Sequence, residues 1–66
     1  MEATKKLEWI KERIAEGRTV YLSTAIRHIK IQAKHLGFVR VRGEVLEVLQ
    51  GKQGWVNANG CKVSAV

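Results

Sequence analysis

The first apolar positions of the chain recur at helical spacing. At about 100° per residue, Ala3, Leu7, Ile10 and Ile14 fall within a stripe roughly 60° wide, which predicts an amphipathic helix over residues 3–16. Gly17 stands directly after it, where a left-handed residue ends a helix. Thr4 is a candidate N-cap, but no acid follows it at the spacing of a capping box. Glu8 and Lys11, three apart, support the exposed side. Trp9 lies off the stripe, about 160° from Leu7 among Lys5, Lys6 and Arg13. A ring there is expected to have no place in a monomer with one core. Three settings compete for it: flat against lysine and arginine stems, packed with Arg13 in an interface with a second copy or another partner, or stacked on a base.

After Gly17 the period changes from helical to alternating. In TVYLST, Val20 and Leu22 share one face while Thr19, Tyr21 and Ser23 share the other, the pattern of a half-buried strand. The next stretch also alternates, with Ile29 and Ile31 inward and His28, Lys30, Gln32 and Lys34 outward. Ala25 and Ile26 are the expected link. Residues 25–37 also carry apolar positions at helical spacing, and the β-branched content of IRHIKI favours strand for the first half. In FVRVRGEVLEV, Gly43 turns the chain or bulges a longer strand. As a hairpin it sets Val39 and Val41 on the inner face with Leu46 and Val48, and leaves Arg40 beside Glu47 outside. Phe38 is expected to pack in the core or at a barrel end. Asn59-Gly60 is the pair best suited to a type I′ hairpin turn, which would oppose Ala58 to Cys61 and Val56 to Val63 and turn Trp55, Asn57, Lys62 and Ser64 outward. The run 50–54 is then the connection into this hairpin.

Strand candidates are therefore about 19–24, 26–32, 38–42, 44–49, 54–58 and 61–65, some of which merge. The expected fold class is α+β: an N-terminal helix packed on a small curved antiparallel sheet, or on a partly open barrel of four to five strands, in one domain. The length of 66 residues with 45% hydrophobic side chains leaves room for one small core and no deep substrate cavity. One cysteine, Cys61, excludes an internal disulfide and a thiolate zinc site, and its inward direction suggests an inert buried thiol. No stretch approaches the roughly 18 uncharged residues of a membrane span, and the acid-bearing opening 1–16 is unlike a signal peptide, so a cytoplasmic protein is expected.

Charge changes the picture more than length does. Twelve Lys and Arg against six Glu give +6, and the chain has no aspartate. Residues 1–16 and the stretch from Glu44 onward are balanced. Between Gly17 and Gly43 the bases Arg18, Arg27, Lys30, Lys34, Arg40 and Arg42 meet no acid. A segment so charged attracts nucleic acid, anionic lipid or an acidic protein, although plain solubility explains an excess of this size as well. No catalytic set is evident: His28 and His35 would point to opposite faces of a strand, no glutamates converge, and the glycines match neither phosphate-binding motif. No cofactor, metal or small-molecule substrate is expected.

Basic groups interleaved with flat rings on one sheet surface suit single-stranded nucleic acid, with phosphates on the charges and bases on the rings. The candidate binding residues are Arg18, Tyr21, Arg27, Lys30, Lys34, Arg40, Arg42, Trp55 and Lys62. Trp9 and Arg13 are candidates for a homodimer interface. A helix-turn-helix reader is disfavoured because 19–23 reads as strand. The expected function is thus a non-enzymatic accessory or regulatory protein that binds DNA or RNA. The alternative is a small interaction module or inhibitor that docks an acidic partner protein.

Overall fold

The computed structural model describes residues 2–25 and 27–66. It contains a helix α1 (Ala3–Ala15), six strands β1 (Val20–Ser23), β2 (His28–Ile31), β3 (Val39–Arg42), β4 (Val45–Leu49), β5 (Trp55–Asn57) and β6 (Lys62–Ala65), and two 3-10 turns, η1 (Ala33–Phe38) and η2 (Gly51–Gln53). The expected start of the second strand, and half of the expected Ala25–Ile26 link, fall on Ile26, outside the described residues.

Helix α1 ends as its glycine demands. Gly17 takes φ 82°, its N–H bonds to the Ile14 carbonyl and that of Arg18 to the Arg13 carbonyl, so the last turn is closed by backbone alone. Its start differs from expectation. The cap is Glu2, without a side-chain bond, so Thr4 lies inside the first turn. Ala3, Ile10 and Ile14 are buried as the stripe requires, but Lys6, Trp9 and Arg13 are half-buried beside them. The covered arc is wider than the apolar stripe, because long side chains bury their stems at its edge.

The strands form two antiparallel sheets of three, ordered β2-β1-β6 and β3-β4-β5, with α1 packed mainly on β3, β4 and β1. This corrects the expectation of a single sheet or barrel of four to five strands. Val20, Leu22, Ile29 and Ile31 of the first sheet meet Val39, Leu46 and Val48 of the second, with Ile10 and Ile14 of the helix, in one buried cluster. In the second sheet the register is the expected one: Val39 faces Val48, Arg40 faces Glu47 and Val41 faces Leu46, across a two-residue turn at Gly43 and Glu44.

The Asn59-Gly60 hairpin does not form. β5 pairs with β4 and β6 with β1, so Val56 and Val63 lie in different sheets. A type I′ turn needs positive φ at both central residues, yet among the described residues only glycines have it, Gly60 with φ 81°. With the Cys61 N–H bonded to the Ala58 carbonyl at 3.3 Å, this is the geometry of a type II turn, whose twist does not match that of a paired hairpin. Asn59 is held otherwise: its Oδ1 accepts from the Leu46 N–H at 2.9 Å and its Nδ2 donates to the Glu44 carbonyl at 3.1 Å. The turn is thereby tied to β4, and the chain leaves it for the other sheet. Ala58 and Cys61 are both buried, as their inward parity requires.

The stretch after β2 is also corrected. The strand stops at Ile31, and Gln32 and His35 cap a 3-10 turn in which the Gln32 N–H donates to His35 Nδ1 at 3.1 Å. Gln32 and Lys34 are therefore not on the strand face. Phe38, expected in the core, ends this turn 45% exposed, with its ring centroid 6.2 Å from that of His35.

Candidate nucleic-acid interface

Strand alternation alone decides which side chains leave the first sheet outward: Tyr21 and Ser23 from β1, His28 and Lys30 from β2, Lys62 and Ser64 from β6. Register decides their neighbours. Lys30, Tyr21 and Ser64 form one cross-strand row, and His28, Ser23 and Lys62 the next. Rows two residues apart are separated by about 7 Å, and neighbours within a row by about 5 Å. None of these six side chains is acidic. Lys30, His28, Lys62 and Ser64 are exposed, while Tyr21 and Ser23 are half-buried between them.

Ion pairing separates bases already engaged within the fold from those that are not. Arg13 pairs with Glu12 and Glu16, Arg18 with Glu16, and Arg40 with Glu47 at 2.8 Å. The hydrogen bonds from Arg13, and then from Arg18, hold the Glu16 carboxyl below its ordinary pKa. Lys6 donates to the Cys61 carbonyl at 2.9 Å. Among the described residues, Arg27, Lys30, Lys34, Arg42 and Lys62 have no ion-pair partner.

The nine candidate binding residues therefore do not share one surface. Tyr21, Lys30 and Lys62 come together on the first sheet. Arg27 has inner parity and lines a groove with Leu22, Ile29, Val56 and Cys61. Arg18 reaches the Ala65 carbonyl at the far end of that sheet and is neutralised by Glu16. Lys34 is exposed on η1. Arg40, Arg42 and Trp55 belong to the second sheet, where the Arg40 guanidinium carbon lies 3.9 Å from the Trp55 ring centroid. That ring face is occupied by an arginine which is itself paired, so Trp55 and Arg40 form a structural stack.

Trp9 and Arg13 form a second such stack. The Arg13 guanidinium lies 5.3 Å from the Trp9 centroid, and the ring packs against the core cluster. A one-core monomer thus has a place for Trp9 after all. One argument for a dimer across this face, a ring without a place in the fold, therefore does not hold.

Ser23 and His28, outward by alternation but outside the nine candidate binding residues, join this surface. Ser23 Oγ lies 3.0 Å from His28 Nδ1. Alternation already turned both outward, but only the register of β1 with β2 and β6 makes them neighbours of each other and of Lys62. Cys61 is buried. Among the described residues, no group of three or more His, Cys, Asp or Glu is placed to hold a metal ion, and no helix is long and apolar enough to cross a membrane. No family model, curated protein or solved structure matches the chain.

Proposed function

We propose that the protein binds single-stranded nucleic acid through the outer face of the sheet β2-β1-β6, as a non-catalytic accessory or regulatory factor. The observation that carries this reading is the row in which Tyr21 sits between Lys30 and Ser64, beside a second row holding His28 and Lys62, with no acidic side chain among these six strand residues. A ring with Lys30 beside it and Lys62 diagonal to it, neither ion-paired among the described residues, offers a base a platform and its phosphates a counter-charge, the combination that sequence-tolerant single-strand binders use. A duplex would meet the charges but offers no splayed base to the ring.

The test is titration of labelled single- and double-stranded oligonucleotides at two salt concentrations. If Lys30 and Lys62 each neutralise one phosphate, the log-log salt slope is about −1.4, so affinity falls about sevenfold over a fourfold rise in salt. Tyr21→Ala is expected to weaken single strands by about 1 to 3 kcal/mol and to leave duplex binding nearly unchanged. Replacing Lys30 and Lys62 together by Glu should abolish both. Absence of binding at low salt refutes the reading, and capture of an acidic protein by the wild type but not by the Glu variant would replace it with the protein-docking alternative.

A further inference from the structure

We propose that His28, Ser23 and Lys62 form a phosphate subsite, distinct from the Tyr21 platform, that holds one phosphodiester group of the bound strand. This rests on the nucleic-acid reading and names the group that each row takes. Ser23 is the Cα partner of both His28 and Lys62, so the shortest side chain of the row lies between two long ones. The row is therefore a notch, with a hydroxyl at its floor and nitrogen donors on its walls. On the Ser23 and Lys62 side it adjoins a surface depression of about 430 Å³ lined by Ser23, Thr24, Ala25, Gly60 and Lys62, which His28 does not line. The neighbouring row has the opposite profile, with the large Tyr21 in the middle.

The hydrogen bond of 3.0 Å between Ser23 Oγ and His28 Nδ1 gives the notch its chemistry. A hydroxyl donating to Nδ1 leaves the proton of a neutral ring at Nε2, and an imidazolium carries one there as well. In both of these states Nε2–H is a donor that no hydrogen bond engages among the described residues; the subsite requires one of them, since the other neutral tautomer, with Nδ1–H donating to Ser23 Oγ, leaves Nε2 an acceptor. Lys62 supplies the charge, with three further donors and no ion-pair partner among the described residues. A phosphodiester, acceptor on two oxygens and singly negative, matches one cation plus one fixed N–H. Ser23 is a positioning residue here: it acts by fixing the imidazole.

An abasic oligonucleotide, which keeps the sugar-phosphate chain and lacks the bases, separates the two rows. With an oligothymidylate and its abasic counterpart as probes, His28→Gln and Lys62→Gln are each expected to weaken both strands by a similar factor, about three- to tenfold. Tyr21→Ala should weaken only the strand that has bases. Ser23→Ala should reproduce a large part of the His28→Gln loss, and Ser23→Thr, which keeps the hydroxyl, should restore binding. Unchanged far-ultraviolet circular dichroism and melting temperature show that each variant is folded. If the wild type binds with the salt dependence given above but His28→Gln and Ser23→Ala bind as tightly as it does, the subsite is overturned and the nucleic-acid reading stands. If neither strand binds, both fall.

Discussion

Replacing Asn59 by alanine tests the reason why the last strand crosses to the other sheet. The side chain satisfies the Leu46 N–H at 2.9 Å in a partly buried setting and the Glu44 carbonyl at 3.1 Å in an exposed one. Losing the first leaves a backbone donor without its partner and costs about 1 to 2 kcal/mol; losing the second costs about 0.5 kcal/mol, since water replaces the amide. The sum is about 2 kcal/mol. For a chain of this size it corresponds to a melting temperature lower by about 8 to 16 °C. Urea denaturation followed by tryptophan fluorescence measures it directly. Asn59→Gly is the sharper comparison. In a type I′ turn residue 59 has positive φ, so glycine would be harmless there and alanine costly. In the turn described here glycine loses the same two bonds and adds unfolded-state entropy, so it must cost at least as much as alanine. A glycine variant as stable as wild type, or an alanine variant within about 0.5 kcal/mol of it, refutes the argument.

Other consequences of the structure can be checked in the same way. Leu22, fully buried between the sheets, is expected to cost about 2 to 5 kcal/mol when truncated to alanine, enough to unfold a marginal domain in mild urea. Trp9→Ala removes a half-buried ring from the core edge and should destabilise by about 1 to 2 kcal/mol in urea melts, without a concentration dependence that would betray lost dimers. The pKa of Glu16 is lowered in the fold, so its contribution is present above its unfolded value and fades as pH falls through the folded one. Acid titration of Glu16→Gln should accordingly lack a small stability loss that the wild type shows below the ordinary carboxylate range, and equal losses in both would contradict the pairing with Arg13 and Arg18.

The elements were legible in the sequence wherever a local pattern decided them. Helix α1 and the inward and outward parity of β1, β3 and β4 follow from spacing alone, because side-chain direction is set within a few residues. The partners of each strand are not local. Asn59-Gly60 carries the strongest short-range turn signal in the chain, yet bonds from its own side chain to β4 bind the turn to that strand. Phe38 and Lys34 left the strand because Gln32 and His35 cap a 3-10 turn, a pairing outside the usual capping sequences. The candidate site divides along the same line. Tyr21, Lys30 and Lys62 were recognisable as outward residues, whereas their convergence with Ser23 and His28, and the internal pairing of Arg18 and Arg40, depend on contacts between distant segments.

The pairing of β6 with β1 also gives the surface a place in time. During synthesis α1 and the β1–β2 pair are made first, and they already carry Tyr21, Lys30, His28 and Ser23. Lys62 joins them only when Ser23 finds its partner on a strand made much later, across the whole intervening second sheet. A chain grown only through β2 therefore carries half of the net positive charge but not the completed row, and long-range pairings of this kind are among the last to form. The cross-strand row of His28, Ser23 and Lys62 is thus a property of the folded chain, while the growing one offers charge without that arrangement.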